Sequence, residues 1–263
     1  MKNILSRAGR GVLERFACAN VLLAFDYDGT LAPIVAMPER AAMRQTTRRL
    51  MVELTKLYPC IVISGRAQAD ALELVRGIGV DQVVGNHGAE PSQAAGRLMQ
   101  EVVRWRPLLV RRLSRCRGVK VEDKTFSVTV HYRQSREKKK ARAAIIEAAA
   151  ALGKVRIIGG KQIVNIFPNG APNKGSALEK QLSRLGCDSA IYVGDDETDE
   201  DVFALDQPSR LLTIRVGAKR TSLASYYVQS RSKIDELLRV LIELRNRRGS
   251  PRLRVSTRQA ISR

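Results

Sequence analysis

Two aspartates separated by one residue follow directly on an apolar run. The run Val21–Phe25 leads into Asp26, Tyr27, Asp28 and Gly29. Five consecutive apolar residues before a turn predict a buried strand of a parallel sheet, and ligands bind outside the carboxyl ends of such strands. Paired carboxylates at that position suit metal-assisted phosphoryl transfer, with one acid as nucleophile and the other as acid or base. Taken alone, the pair fits an Asx-type turn with solvated acids at least as well.

Two later stretches supply groups that bind an anion. Ser64, Gly65 and Arg66 follow a second apolar run and precede a predicted helix. A hydroxyl, free backbone N–H groups and the helix dipole together form a cradle for a phosphate, although Ser64 also fits as a plain helix N-cap. Lys174 stands beside the start of another predicted helix and places a positive charge at the same site.

The densest acidic cluster follows the strand predicted at Ala190–Val193. It begins with Gly194, Asp195 and Asp196. Carboxylates at this strand end, opposite the Asp26 turn, suit an octahedral, oxygen-liganded Mg²⁺. Some acids of the cluster also fit as the N-cap of a helix predicted to begin at Asp199, but Asp195 lies before that helix.

The spacing of apolar residues along the chain changes between the Ser64 and Lys174 stretches. Strands are predicted at 119–122 and 126–133, then a helix at 137–152, then strands at 155–157 and 163–166. This β-β-α-β-β order differs from the strand–helix alternation on either side. We therefore expect an α/β fold with a Rossmann-like parallel-sheet core at residues 1–88 and 169–245, and an inserted α+β domain at residues 89–168.

Composition limits the classes of protein to consider. The chain has 263 residues, an apolar fraction of 44% and a formal charge of +20, which favours a packed core and phosphate-bearing partners. Four scattered cysteines indicate reduced thiols, and no run approaches the ~20 apolar residues of a membrane span. We expect a cytoplasmic protein without membrane contact. Residues 246–263 are predicted to be a basic, flexible tail, with nucleic-acid or membrane-surface contact as the alternative.

The ordered set of Asp26-x-Asp28-Gly29-Thr30, Ser64, Lys174 and Gly194-Asp195-Asp196 resembles the four motifs of the haloacid dehalogenase-like phosphatases. The insert between the second and third motifs is similar to that superfamily's type-2 cap. The resemblance implies that Asp26 is the nucleophile and Asp28 the acid and base. It also implies phosphate contacts from Thr30, Ser64, Gly65, Arg66 and Lys174, and Mg²⁺ held by Asp26, the Asp28 carbonyl, Asp195 and Asp196.

Within that superfamily the chain resembles trehalose-6-phosphate phosphatases. The residues that carry this likeness are Asp26–Ile34, Gly85–Glu90, Glu122-Asp123-Lys124, His131-Tyr132-Arg133 and Asn173-Lys174-Gly175. The resemblance implies hydrolysis of trehalose 6-phosphate through an aspartyl-phosphate, and a sugar site formed by Asn86, His87, Glu122, Lys124, Arg133 and Asn165. From its position in a loop alone, His87 fits a structural hydrogen-bonding role as well as a ligand-binding one.

Two positions depart from the family pattern. Thr125 stands where the family usually has glycine, and Asn165 where a glutamate is common. Two other functions remain open from the sequence. One is a phosphatase of another sugar phosphate, of the sucrose or mannosylglycerate type, and the other is a nucleic-acid-binding or regulatory protein on the same fold.

Overall fold

The computed structural model describes residues 1–35, 37, 40–91, 95–160, 162–205 and 207–247. In chain order its helices and strands are β1 (Lys2–Asn3), α1 (Arg7–Ala17), β2 (Val21–Phe25), α2 (Gln45–Leu57), β3 (Cys60–Ile63), α3 (Gln68–Leu74), β4 (Gln82–Val84), α4 (Ala95–Arg112), β5 (Lys120–Asp123), β6 (Val128–His131), α5 (Lys138–Ala150), β7 (Val155–Gly160), β8 (Ile163–Pro168), α6 (Lys174–Arg184), β9 (Ser189–Gly194), α7 (Glu200–Phe203), β10 (Leu211–Val216), β11 (Tyr226–Val228) and α8 (Ile234–Arg247).

A parallel sheet forms the core, with strand order β1-β11-β10-β9-β2-β3-β4. Strand β2 is central, and all five of its residues are buried. Its side chains alternate between two hydrophobic clusters: Leu23 and Phe25 face α1, α2 and α8, whereas Leu22 and Ala24 face α6 and α7. Helices on both faces explain why the strand sequence is continuously apolar.

A separate antiparallel sheet has the order β5-β6-β8-β7. Val128 and Val130 on its apolar face pack with Trp105 of α4 and Ile145 of α5. The opposite face carries polar side chains, among them Ser127, Thr129 and Asn165, which are themselves buried. The predicted fold class, an α/β core with an additional α+β unit, is confirmed. The domain boundaries at 88/89 and 168/169 remain a prediction.

Two features complete the edges of the fold. Strand β11 follows β10 and pairs with both β10 and β1. Helix α8 extends to Arg247, two residues into the predicted tail, and residues 248–263 lie outside the described part.

Arg245, which the sequence places in a basic run, is buried. Its guanidinium donates to the carbonyls of Leu57, Ala17 and Ala19 and stacks on the ring of Tyr58. This arginine therefore joins α8 to the core and does not belong to an exposed charged tail.

Candidate active site

The site forms where three neighbouring strands end. Strand β2 lies between β3 and β9, and all three run in the same direction. Asp26 follows β2, Ser64 follows β3, and Asp195 follows β9. The sheet order therefore brings together side chains that are far apart in the sequence, as expected at the carboxyl edge of a parallel sheet.

Lys174 binds two buried carboxylates at this edge. Its Nζ donates to Oδ1 of Asp26 and to Oδ1 of Asp199, each at 2.7 Å. All three side chains are buried. The lysine lies in the first turn of α6, where the side chains of Asn173 and Ser176 form a reciprocal capping box. That cap fixes the start of the helix and so directs the lysine toward the strand ends.

The charges in this network perturb one another. Burial raises the pKa of Asp26 well above its usual value, although Lys174 counteracts the effect. Burial alone would lower the pKa of Lys174, but the charges of Asp199 and Asp26 raise it. Burial likewise acts to raise the pKa of Asp199, yet the charge and hydrogen bond of Lys174 lower it. The lysine is thus held as a cation between two carboxylates.

Asp26, Asp195 and Asp199 each offer a carboxylate oxygen, and these three oxygens lie within 4.8 Å of one another. Burial and the charges of Asp199 and Asp196 raise the pKa of Asp195 to about 7. When all three carboxylates are ionised, they exceed the single positive charge of Lys174 by two negative charges. A divalent cation would neutralise that excess, and oxygen ligands are those that Mg²⁺ prefers. The donor set therefore fits a hard divalent cation.

Gly29 allows the two strand ends to approach each other. Its φ is +93°, and a Cβ at this position would overlap the carboxylate of Asp195. Thr30, the next residue, donates a hydrogen bond to Asp195 Oδ1 at 3.3 Å. The turn after β2 thus positions an acid of the β9 loop.

Arg66 binds the carboxylate of Asp28. Its Nε and Nη2 lie 2.6 and 2.7 Å from the two carboxylate oxygens. Donation of hydrogen bonds to the Asp28 carboxylate raises the pKa of Arg66. In this arrangement the side chain of Asp28 faces the cavity beside the site and lies outside the cluster of three acids. A contribution of its backbone carbonyl to a metal remains a prediction.

The loop after β3 is compact and folds onto the turn after β4. Ser64 is fully buried, and its Oγ accepts a hydrogen bond from the Arg66 amide. A Cβ on Gly65 would overlap the imidazole of His87. Backbone bonds from Asn86 to the Arg66 carbonyl and from His87 to the Ser64 carbonyl join the two segments.

Asn86 is buried and His87 is partly buried beneath this loop. His87 packs edge-on against Phe167 at 5.4 Å, and its Nδ1 has no hydrogen-bond partner within the described residues. Burial, followed by the charge of Lys174, lowers the pKa of His87 to about 3, so the ring is neutral. Among the described residues, neither side chain is part of the cavity wall. Their predicted contacts with a sugar stay a prediction.

The side chain of Asp196 bonds within its own loop. Its side chain accepts a backbone hydrogen bond at the start of the 3₁₀ turn Glu197–Asp199, whereas Asp199 Oδ2 accepts from the amides of Asp195 and Asp196. Burial raises the pKa of Asp196. Asp199, which the sequence suggested only as a helix cap, is the residue whose carboxylate lies beside those of Asp26 and Asp195. A metal contact from Asp196 stays a prediction.

A cavity of about 1050 Å³ lies between the parallel core and the antiparallel sheet. Its wall includes Asp28, Asp195, Asp196, Glu197 and Arg215 from the core, and Lys120, Glu122, His131 and Arg133 from the antiparallel sheet. The cavity has enough room for a sugar phosphate. Acidic groups of the core and polar groups of the sheet thus face one space.

Glu122 is the centre of a polar group on the sheet. Its two carboxylate oxygens lie 2.6 Å from Lys124 Nζ and 2.6 Å from His131 Nε2. Burial acts to raise the pKa of Glu122, but the hydrogen bonds from Lys124 and His131 lower it. Asn165 is buried and accepts a hydrogen bond from Thr129 at 2.7 Å.

Two further side chains were not predicted to belong to the site. His131 lies in the quoted His-Tyr-Arg stretch, but its bond to Glu122 depends on the pairing of β5 with β6. Arg215 is buried and donates to the backbone carbonyls of Asp195 and Asp196 and to Glu200. Arg215 could have been noticed in the sequence because it is a charged residue inside an otherwise apolar strand, β10.

Comparison with known proteins gives the family. The trehalose-phosphatase family model matches residues 24–232. A probable trehalose-phosphate phosphatase 4 of Oryza sativa subsp. japonica is 31% identical over 90% of this chain and 70% of its own length. The chain belongs to the trehalose-phosphatase family. The predicted class of enzyme, a phosphoric monoester hydrolase, is confirmed with it.

A second relative supports this assignment, and a solved structure supports the fold. A probable trehalose-phosphate phosphatase D of Arabidopsis thaliana is 30% identical over 85% of this chain and 67% of its own length. The C-terminal domain of the C. albicans trehalose-6-phosphate phosphatase superimposes with a TM-score of 0.74 over 89% of this chain and 96% of that domain. At 22% identity, this similarity concerns the fold alone.

Proposed function

We propose that this chain hydrolyses trehalose 6-phosphate to trehalose and phosphate. The observation that carries the proposal is the buried Asp26–Lys174–Asp199 network. It adjoins Asp195, which lines a cavity whose opposite wall holds Glu122 and His131. Phosphate chemistry at one end and hydroxyl-binding groups at the other suit a phosphorylated sugar. Family membership supplies the identity of that sugar.

The first proposed step is attack by Asp26 on the phosphorus atom. A bond forms between a carboxylate oxygen and phosphorus while the bond from phosphorus to the sugar oxygen breaks. Lys174 fixes Oδ1 of Asp26 and so sets the orientation of the carboxylate. Asp28 gives a proton to the departing sugar oxygen. The product of this step is an aspartyl-phosphate.

The second proposed step returns the enzyme to its starting state. Asp28 takes a proton from a water molecule, the water oxygen bonds to phosphorus, and the bond to Asp26 breaks. Phosphate then leaves. The same carboxyl group serves as acid in the first step and as base in the second.

Arg66 has two proposed partners in turn. In the structure its guanidinium donates hydrogen bonds to both carboxylate oxygens of Asp28, so both oxygens are occupied as acceptors. A bound phosphate dianion offers Arg66 a stronger acceptor. Movement of the guanidinium to the phosphate would release Asp28 to carry the proton, which reconciles the roles predicted for the two residues.

We propose Mg²⁺ as the cofactor, held by Asp26, Asp195 and Asp199, with the Asp28 carbonyl and Asp196 as further expected contacts. When bound, the ion neutralises charge on the phosphate and on the attacking carboxylate. Thr30, Ser64 and Gly65 are proposed to contact the phosphate oxygens. The sugar is proposed to contact Glu122, Lys124, His131 and Arg133.

Within the described residues, no helix is long and apolar enough to cross a membrane. A cytoplasmic location remains a proposal, and it rests on the scattered positions of the four cysteines in the sequence, which favour reduced thiols.

The test is phosphate release from trehalose 6-phosphate, sucrose 6-phosphate and glucose 6-phosphate, with Mg²⁺ or with a chelator. We expect the first substrate to be preferred and all turnover to require the metal. Preference for another sugar phosphate would contradict the substrate. Metal-independent turnover would contradict the cofactor.

A further inference from the structure

Arg156 on β7 joins the antiparallel sheet to the parallel core through an ion pair. Its Nη1 lies 2.9 Å and 2.8 Å from the two carboxylate oxygens of Asp201 on α7. The side chains of Arg156 and Asp201 are only 27% and 19% exposed. Solvent therefore screens this pair less than a typical surface pair.

The same arginine also contacts the core indirectly through an aromatic ring. Arg156 and Phe167 are cross-strand partners on β7 and β8, and the guanidinium lies 4.6 Å from the ring centroid. Phe167 in turn meets His87 edge-on at 5.4 Å. His87 is neutral, so its ring approaches this cationic group without charge repulsion. One side chain thus connects the antiparallel sheet to helix α7 and to the turn after β4.

Both ends of this connection lie near groups with proposed roles. Asp201 is two residues after Asp199, which binds Lys174. On the sheet, Asn165 of β8 pairs with Thr129, which pairs in turn with Glu122. Because the sheet is continuous from β7 to β5, its placement on α7 determines where Glu122 lies relative to the core.

We propose that Arg156 and Asp201 are a positioning pair that fixes the inserted sheet on the core. The pair holds Glu122 and its neighbours at the distance where they meet the sugar while the phosphate lies at Asp26. Neither residue touches the reacting atoms in this account. The inference rests on the proposed function and assigns these two residues to its substrate selectivity.

The test is a double-mutant cycle with two substrates. Arg156→Gln, Asp201→Asn and the combined variant are compared with the wild type on trehalose 6-phosphate and on 4-nitrophenyl phosphate. We expect kcat/KM for the disaccharide to fall about ten-fold, mainly through KM, since a hydrogen-bonded charge pair is lost. The combined variant should be no worse than either single one. Activity on the small ester, which does not reach the sheet, should stay within about two-fold.

Arg142→Gln is the matched control. Arg142 lies on α5 of the same unit and is exposed, so its replacement removes an equal charge without touching the pair. It should leave both activities at the wild-type level. Additive losses in the cycle, or equal losses on both substrates, would overturn the proposal.

Hydrogen exchange separates this inference from the proposed function, because it needs no substrate. Amides of β7 and α7 should exchange faster in Arg156→Gln and in Asp201→Asn than in the wild type or in Arg142→Gln. Unchanged exchange would contradict the positioning pair even if trehalose 6-phosphate is the substrate. Faster exchange in a protein that does not hydrolyse trehalose 6-phosphate would preserve the pair and discard the substrate.

Discussion

Asp199 accepts hydrogen bonds from four donors: Lys174 Nζ, Tyr192 OH and the amides of Asp195 and Asp196, at 2.6 to 2.8 Å. No donor of this set can be removed without leaving a buried carboxylate under-satisfied. The residue therefore organises the acidic loop, holds Lys174 and offers an oxygen to the proposed metal.

We predict that Asp199→Asn raises the Mg²⁺ concentration needed for half-maximal activity by about 10- to 100-fold. The amide has one acceptor oxygen in place of two and lacks the charge that Lys174 and the metal require. The measurement is phosphate release as a function of Mg²⁺ concentration. Tyr192→Phe, which removes one donor and keeps the ring, is the control and should change it less than ten-fold. A wild-type Mg²⁺ dependence in Asp199→Asn would exclude this residue from the metal site.

His87 makes stability depend on pH. The pKa of this buried ring is about 3, against about 6.5 in an unfolded chain. Below pH 6.5 the unfolded state binds a proton that the folded state does not. As pH drops below 6.5, the contribution of His87 to the free energy of unfolding should therefore fall by about 1.4 kcal/mol for each pH unit, until pH approaches 3.

The corresponding prediction concerns His87→Gln. Its free energy of unfolding should decline less steeply than that of the wild type as pH falls from 6.5 to about 4.5. Urea unfolding at several pH values measures both slopes. Equal slopes would show that His87 titrates alike in the folded and unfolded states.

At the level of single residues, the sequence predicts which side chains could do chemistry better than it predicts their hydrogen-bond partners. Asp26, Ser64, Lys174 and Asp195 follow from strand ends and helix starts. Asp199 was overlooked because an acid ahead of a helix has an ordinary explanation as a cap. Only the fold of the 3₁₀ turn shows that its carboxylate points back to Lys174.

Helix α1 shows how one element is fixed to the sheet. A Cβ on Gly9 would overlap the backbone carbonyl of Ile4, which follows β1, whereas Gly11 faces open space. Close contact at Gly9 holds α1 against the residues that precede the helix. The two glycines therefore have different reasons to be small.

We predict opposite effects for the two alanine substitutions on α1. Gly11→Ala should raise the free energy of unfolding by about 0.5–1 kcal/mol, because alanine favours helix. Gly9→Ala should lower it by about 1–3 kcal/mol through overpacking. Urea unfolding at pH 7 measures both. Stabilisation by Gly9→Ala would contradict the close packing of α1.

At the level of elements, strands with a clear apolar run were predicted and β11 was not. β2 is apolar throughout and β9 contains the apolar run Ala190–Val193, whereas β11 has three residues and no distinctive pattern. Its place in the sheet depends on pairing with β10 and β1, which are distant in the chain. Thr125 likewise adopts φ +67°, a conformation that its side chain does not indicate.

In the proposed function, the two sheets of the molecule divide substrate recognition between them. The parallel core supplies a buried, charged site for the phosphate, and the antiparallel sheet supplies polar groups across the cavity. The overall charge of +20 favours approach of an anionic substrate. The sequence predicts this division because the strand period changes in the insert, but the cavity wall depends on how the two sheets meet.

Asp26 is the proposed nucleophile, and every later step of the mechanism follows from its attack. The decisive measurement is Mg²⁺-dependent phosphate release from trehalose 6-phosphate by Asp26→Asn beside the wild type, with folding compared by circular dichroism. We predict a loss on the order of 10³-fold or more, because an amide cannot attack phosphorus as the carboxylate does. Turnover by the folded variant at near wild-type rate would contradict the mechanism.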